Sequence, residues 1–276
     1  MSLGNTATRI IVSLAAIPLI LLACYFGGVF FLLFIAAIGA VAFWEFSRMA
    51  GKKNALAQDA LGLIAVLLII TDAYFRFMDF KMMVYFFMVL FLVYELFRNK
   101  NSAIFNLGVT LLGVFYIGLF SGAMIEIREY FTRQGFTDDY SQGGFLMISI
   151  LASIWVCDSA AFFAGSALGR HKLFPRVSPK KSWEGAVAGF IASVAAMVVM
   201  KIFLLNFITV LDAAVIGLVV GTIGQIGDLT ESLLKRDAGV KDSSNLIPGH
   251  GGIFDRFDSL LLTSPVVYLY MVYFVK

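Results

Sequence analysis

The sequence predicts an all-α fold: a polytopic integral membrane bundle with about nine transmembrane helices. Three observations carry that prediction. The 276-residue chain is 60% hydrophobic and only 14% charged, with 28 Phe, whereas soluble domains average about 25% charged residues. Its apolar residues fall in continuous runs near the ~20 residues needed to cross a hydrocarbon core of ~30 Å. Continuity, rather than strict alternation, argues against a β-barrel. Finally, the Lys and Arg between the runs are concentrated on alternate connections, as in the loops of a polytopic protein.

Nine runs stand out, at roughly 10–26, 29–46, 56–75, 82–97, 104–125, 144–168, 185–205, 212–234 and 259–275. With nine spans, alternate connections share a side. Arg9, the Arg48–Lys53 and Arg98–Lys100 connections, the 170–181 connection and the 235–256 loop together hold fifteen of the 21 Lys and Arg. The opposite side holds five: Arg76, Lys81, Arg128, Arg133 and Lys276. Positive charge favours the cytoplasm. The expected orientation therefore has the N-terminus inside, the C-terminus outside and the basic loops in the cytoplasm. The two cysteines, Cys24 and Cys157, lie inside apolar runs, so no disulfide framework or Cys-x-x-Cys metal site is expected. Leu21-Leu-Ala-Cys24 faintly resembles a lipoprotein cleavage box, but little positive charge precedes it and eight further spans follow.

Residues 1–143 read as scaffold helices. Gly27-Gly28 predicts a tight turn between the first two spans. Glu45 with Arg48, and Glu95 with Arg98, stand three apart and are expected to pair on their own helix faces near the membrane boundary. Gly108, Gly113, Gly118 and Gly122 recur along the fifth span as small residues do where helices pack closely in lipid. The stretch 126–143, with Glu126, Arg128, Glu129, Arg133, Asp138 and Asp139, is expected to be a solvated loop capping the outer side.

Residues 144–276 carry the chemistry. Asp158 sits in WVCDSAAFFAG, ~21 Å along the sixth span at 1.5 Å per residue. An ionisable group at such depth is costly and marks a functional position. The basic segment GRHKLFPRVSPKKSWEG follows, at 169–185. A juxtamembrane basic run attracts anionic lipid. Ser178-Pro-Lys-Lys-Ser182, placed just before a helix, also suits phosphate oxygens. His171 alone reads as a surface or packing residue. In the eighth span Gly217, Gly221, Gly224 and Gly227 share a broad face, for close helix contact or for substrate access to the backbone. Asp228, ~24 Å along that span, reaches the depth of Asp158, and Glu231 projects on the same side. Lys235 and Arg236 follow, then Lys241-Asp242, Pro248-Gly-His-Gly-Gly252 and Asp255-Arg-Phe-Asp258. Gly251 and Gly252 permit backbone conformations closed to other residues, and such loops aim N–H groups at an anion. Paired carboxylates among Lys and Arg suit a Mg²⁺–phosphate site. A plain salt-bridge network would leave the glycines unexplained.

The segment SLLKRDAGVKDSSNLIPGHGGIFDRFD, residues 232–258, resembles the phosphatidate cytidylyltransferases, also called CDP-diacylglycerol synthases. It reproduces their spaced Ser, Lys-Arg, Lys-Asp, Pro-x-His-Gly-Gly and Asp-Arg-x-Asp pattern. GQIGDLTES, SPKKSWEG and DSAAFFAG are similar to the same family, so the likeness is concentrated in roughly the last 120 residues. The resemblance implies conversion of CTP and phosphatidate to CDP-diacylglycerol and pyrophosphate in an inner or plasma membrane, with Mg²⁺. It assigns catalytic roles to Asp228, Lys235, Arg236, Lys241, Asp242, His250, Asp255, Arg256 and Asp258. Substrate contacts fall to Arg170, Ser178, Lys180, Lys181, Glu184, Ser232, Gly251 and Gly252, with the lipid phosphate and the triphosphate both open as their target. Metal ligation falls to Asp228 and Asp255, with Asp258 or Asp158 as a further ligand. Expected partners are CTP, phosphatidate and the bilayer; no nucleic acid is expected, and glycine-rich faces allow a homodimer. A CTP-dependent polyprenol kinase is the nearest alternative. A secondary transporter is the alternative of a different class, but the polar motifs crowd one half and no internal repeat is visible.

Overall fold

The structure, a computed structural model, describes residues 5–136, 139–247 and 249–275, and side chains from residue 12 onward. Asp138 of the expected cap, Pro248 of the glycine loop and Lys276 of the charge count lie outside the described residues, as does the Arg9 side chain.

The helices are α1 (Asn5–Phe26), α2 (Gly28–Gly51), α3 (Asp59–Phe75), α4 (Phe80–Arg98), α5 (Ala103–Gly113), α6 (Phe120–Arg133), α7 (Ser141–Leu168), α8 (Trp183–Phe203), α9 (Val210–Val219), α10 (Gln225–Asp237) and α11 (Phe254–Phe274). A π-helical stretch, Val114–Leu119, joins α5 to α6, and another, Val220–Gly224, joins α9 to α10. The described chain therefore forms nine rods, one for each apolar run. Seven, those containing α2, α4, α5–α6, α7, α8, α9–α10 and α11, are long and apolar enough to cross a membrane. The apolar part of α1, Val12–Phe26, and the 17-residue α3 are shorter. Among the described residues the strands are confined to a small antiparallel hairpin of β1 (Lys172–Phe174) and β2 (Ser178–Ser182), pairing Lys172 with Ser182 and Phe174 with Ser178, beside an isolated bridge of Ile247 with Gly251. The basic SPKK segment is thus a strand. It ends at Ser182, whose hydroxyl accepts the Gly185 N–H and caps α8, a standard use of Ser at a helix start.

The buried interior joins both halves, with Phe31, Phe43, Ile70, Ile117, Phe254 and Met271 in one cluster. Lipid offers apolar helices no hydrophobic reason to associate, so close packing of small residues has to supply the contact. A methyl group on Gly217 would stand 2.7 Å from Val194 Cα, and one on Gly227 would stand 2.7 Å from the Asp258 carbonyl. The glycine face of α9–α10 therefore seats this rod on α8 and α11 inside the chain. Gly113, Gly118 and Gly122 pack similarly against α2 and α3, whereas Gly108 faces open space. The Gly27-Gly28 turn forms as expected, with both residues at positive φ.

Two expectations fail here. The stretch from Glu126 is not a solvated loop, because α6 continues as helix to Arg133 and Arg128 is 1% exposed. Those charges survive burial because they cap other helices, whose last carbonyls have no partner within the helix. Arg128 donates to Cys24 O (2.6 Å), Tyr25 O (2.9 Å) and Tyr140 O (3.1 Å). Arg133 donates to Ala73 O and Tyr74 O at the end of α3, and the Tyr130 hydroxyl donates to Met271 O at the end of α11. Nor do Glu45 and Arg48 pair. Arg48 is exposed and lies over the Trp44 ring at 5.7 Å, while Glu45 is 0% exposed and turned toward α11. The matching pair further on does form, with Arg98 Nη1 3.4 Å from Glu95 Oε2.

Candidate active site

The site forms where α10 and the start of α11 run side by side. Gly227 lets α10 lie directly on the backbone of Asp258 and Ser259, which brings the carboxylates of the two helices together. Asp228, Glu231 and Asp258 each offer an oxygen within 4.8 Å of the others. The i,i+3 spacing puts Asp228 and Glu231 on one face of α10, and Asp255 and Asp258 on one face of α11. Glu231 is fully buried; Lys235 Nζ lies 2.5 Å from its Oε2, and its Oε1 has no hydrogen-bond donor among the described residues. Asp228 is in contact with Lys181 Nζ at 2.6 Å and accepts from the Ser232 hydroxyl at 3.3 Å. Asp258 accepts from the Ser259 N–H at 2.6 Å.

Asp255 is built differently. Its Oδ1 accepts from Lys235 Nζ at 2.7 Å. Its Oδ2 accepts from Gly252 N (2.7 Å), Ser243 N (2.9 Å) and Ser243 Oγ (2.8 Å). The glycine loop thus spends its Gly252 N–H on the protein's own carboxylate. Gly251 has φ +83°, and a methyl group there would stand 2.7 Å from Asp255 Oδ2. A methyl group on Gly252 would collide with the Ser243 hydroxyl and with Glu45. Both glycines are needed because the loop closes tightly over Asp255.

Three cavities lie around this region, and the first two reach its carboxylates. The first, about 330 Å³, lies between α7, the hairpin, α8 and α10, and is bordered by Asp158, Gly165, Lys180, Lys181, Gln225 and Asp228. The second, about 480 Å³, has apolar walls from α1, α2 and α7, including Ala16, Ile20, Phe34 and Ile154, and ends at Asp158, His250, Asp255, Arg256 and Asp258. The third, about 410 Å³, is polar and bordered by Lys241, Asp242, Asn245, Gly249, His250, Gly251 and Arg256. Asp158 borders the first and second cavities; His250 and Arg256 border the second and third. Asp158 and Asp228 do arrive together, as their depths along two different helices imply.

The remaining expected residues divide in two. Lys180, Lys241, Asp242 and Arg256 are exposed at cavity walls. His250 lies there too, with Nε2 3.3 Å from Ser13 Oγ of α1. Arg236, Glu184, Ser178 and Arg170 sit apart from the carboxylates. Arg236 donates to Val177 O (3.4 Å) and Val240 O (3.2 Å), tying α10 to the hairpin. Glu184 holds His171, whose Nδ1 is 2.6 Å away. Ser178 opens β2, and Arg170 is exposed beyond α7. Glu45 and Ser243 were missed as site residues. Ser243 was legible only as a neighbour of the Lys-Asp pair, and Glu45 only as an expected partner of Arg48.

Chemically, five carboxylates face three nearby cations, Lys181, Lys235 and Arg256. Like charges so close in a poorly solvated setting repel strongly. Buried Glu231, with an oxygen left without a donor, suits a hard divalent cation that takes oxygen ligands.

The chain is similar to known proteins over nearly its whole length. A sequence model of the cytidylyltransferase family matches residues 7–274. The chain is 33% identical over 271 residues to the phosphatidate cytidylyltransferase of Bacillus subtilis (strain 168), covering 96% of this chain and 97% of that protein. It is also 33% identical over 290 residues to the phosphatidate cytidylyltransferase of a Synechocystis species, covering 96% of each. Identity rises to 44% over 147 residues with the phosphatidate cytidylyltransferase of Haemophilus influenzae, covering about half of each chain.

Proposed function

This chain belongs to the cytidylyltransferase family, and from that premise we propose how its residues divide the work. The reaction is that of a phosphatidate cytidylyltransferase: CTP and phosphatidate give CDP-diacylglycerol and pyrophosphate in phospholipid biosynthesis. The observation that carries the proposal is that an apolar and a polar cavity share His250 and Arg256 beside Asp258. Phosphatidate takes the apolar cavity, its acyl chains along α1, α2 and α7 and its phosphate toward Asp158 and Lys181. CTP takes the polar cavity, with Lys241 and Arg256 on its phosphates. The two reacting centres meet at the shared residues.

A lipid phosphate oxygen attacks the α-phosphorus of CTP. The bond to the oxygen bridging the α- and β-phosphates breaks, and pyrophosphate leaves with the electron pair. The phosphate is already anionic at neutral pH, so no general base is needed and His250 shapes the loop or donates to pyrophosphate. Both reactants are polyanions, so fixed cations at the meeting point lower the barrier. Arg256 does this at the meeting point and Lys241 on the CTP side, while Lys180 and Lys181 add positive charge from the first cavity, beside Asp158. Lys235 instead stays buried between Glu231 and Asp255, and holds their charges apart.

Asp228, Glu231 and Asp258 would hold Mg²⁺, with Asp158 next to them; Asp255 is left out because it already takes four hydrogen bonds, from Lys235, Gly252 and Ser243, whereas each Asp228 oxygen has one partner, Lys181 or Ser232. Bound there, the ion supplies neutralising charge for the reacting phosphate and the departing pyrophosphate. The excess of basic loop residues supports a cytoplasmic site, an inside N-terminus and an outside C-terminus. The bacterial relatives support an inner or plasma membrane.

The test uses purified protein in detergent, short-chain phosphatidate, Mg²⁺ and CTP labelled at the α-phosphate. Label should enter lipid with one equivalent of pyrophosphate, and Lys241→Gln should raise KM for CTP several-fold more than KM for phosphatidate. Label remaining in CDP, or a Lys241→Gln effect on the lipid alone, would overturn the scheme.

A further inference from the structure

We propose that Glu45, from the scaffold helix α2, is a positioning residue for cytidylyl transfer, acting on the start of α11; this rests on the placement of Arg256 and Asp258 at the reacting groups. The carboxylate is fully buried and reaches across the bundle to residues about 200 positions later. Its Oε1 accepts from Ser244 Oγ (2.5 Å) and Ile253 N (3.1 Å). Its Oε2 accepts from Phe254 N (2.7 Å) and Ser243 Oγ (3.1 Å). Four donors, none of them cationic, converge on one buried anion.

Two of those donors are the backbone N–H groups that open α11. They have no partner inside the helix, and a negative charge there also meets the positive end of the helix dipole. Glu45 therefore caps α11 from another helix. Asp255, Arg256 and Asp258 follow within the next turn and a half, so their placement depends on where that cap holds the helix start. The Ser243 hydroxyl extends the effect. It lies 3.1 Å from Glu45 and 2.8 Å from Asp255 Oδ2, so its single proton links the two carboxylates. Gly252 packs against both Ser243 and Glu45. The site's loop is thereby moulded onto a residue from the first third of the chain.

Glu45→Gln preserves shape and removes the function. An amide keeps one acceptor oxygen and turns an N–H₂ group toward one of the two backbone N–H donors. The Ile253 and Phe254 N–H groups cannot then both be satisfied. In full-length protein in detergent, hydrogen exchange at residues 243–256 should accelerate at least tenfold, while exchange in α7 stays unchanged. Turnover per folded molecule should fall at least tenfold, with KM for phosphatidate unchanged. A purely structural residue would lower the yield of folded protein and leave kcat per folded molecule intact. Unchanged exchange at 253–254, or faster exchange with full kcat, overturns the proposal. If wild-type protein transfers no label from CTP to lipid, the reaction scheme fails, and the exchange arm still decides whether Glu45 anchors α11. Should Glu45→Gln not fold, Ser244→Ala, which removes one donor, must show a smaller acceleration at 253–254 and a smaller loss of kcat; no change in either is equally fatal.

Discussion

Two buried polar assemblies hold α11, one at each end, and their charges are arranged in opposite ways. Around the C-terminal end, Arg128, Arg133 and Tyr130 of α6 cap α1, α3 and α11. Glu126 bonds Arg133 and Arg76, each at 2.9 Å, and Glu129 accepts from the Tyr140 hydroxyl at 2.6 Å. Here three cations, Arg76, Arg128 and Arg133, face two acids, and the donors end on carbonyls or counter-charges. At the N-terminal end, acids outnumber cations, Glu231 has an oxygen without a donor among the described residues, and two cavities open onto the carboxylates. The first arrangement spends its polar groups on holding helices. The second keeps charge in reserve for something that arrives. Polar groups in a membrane protein are costly in both cases; the balance of charge separates a fastening from a site.

The sharpest way to break this comparison is to remove one charge from each end. Asp228→Asn should lower kcat by about a thousand-fold at saturating Mg²⁺, the order expected when charge stabilisation at a reacting group is lost. Unfolding in detergent should stay near that of the unaltered protein, since Asp228 is only partly buried. Full turnover would contradict the site. At the other end, Arg128→Ala leaves the carbonyls of Cys24, Tyr25 and Tyr140 without their donor. That should destabilise by about 3 kcal/mol or more, read from denaturant unfolding, with kcat per folded molecule unchanged. A loss of kcat with full stability would place Arg128 in the machinery instead.

Hydropathy revealed the rods, because lipid demands long apolar runs and nothing else in the chain imitates them. The glycine spacing and the Asp228–Asp258 motifs were legible for a similar reason: close helix approach and dense charge leave local marks. What was not legible depended on distant partners. The apolar run in α6 ended at its first charges, yet the helix continued, because Arg128 and Arg133 found the carbonyls of other helices. Glu45 had a suitable partner three residues away, but the two N–H groups of α11 outcompeted Arg48. Spacing put Asp255 and Asp258 on one helix face, and Asp255 was expected as a metal ligand ahead of Asp258. Only the folding of the glycine loop separates them: both border the apolar cavity, but Asp255 alone takes four hydrogen bonds from Lys235 and the loop.

The smallest expected effect sharpens the fastening end. Burial, followed by the hydrogen bond to Glu129, pushes the Tyr140 hydroxyl up to about 12. Its ordinary value is near 10. The folded state therefore keeps this proton to higher pH than the unfolded state does. That contribution to stability is complete below about pH 10 and is lost between about 10 and 12. Tyr140→Phe should unfold at the same denaturant concentration across that window more nearly than the unaltered protein does. An identical alkaline loss in both would remove Tyr140 from the fastening.

The most direct test of the central claim is Mn²⁺ binding to purified protein in detergent, followed by the electron paramagnetic resonance of free Mn²⁺. If Asp228, Glu231 and Asp258 form the open set and Asp255 belongs to the scaffold, Glu231→Gln should weaken Mn²⁺ binding at least tenfold. Asp255→Asn should weaken it less. Unchanged binding in Glu231→Gln together with abolished binding in Asp255→Asn would contradict the account.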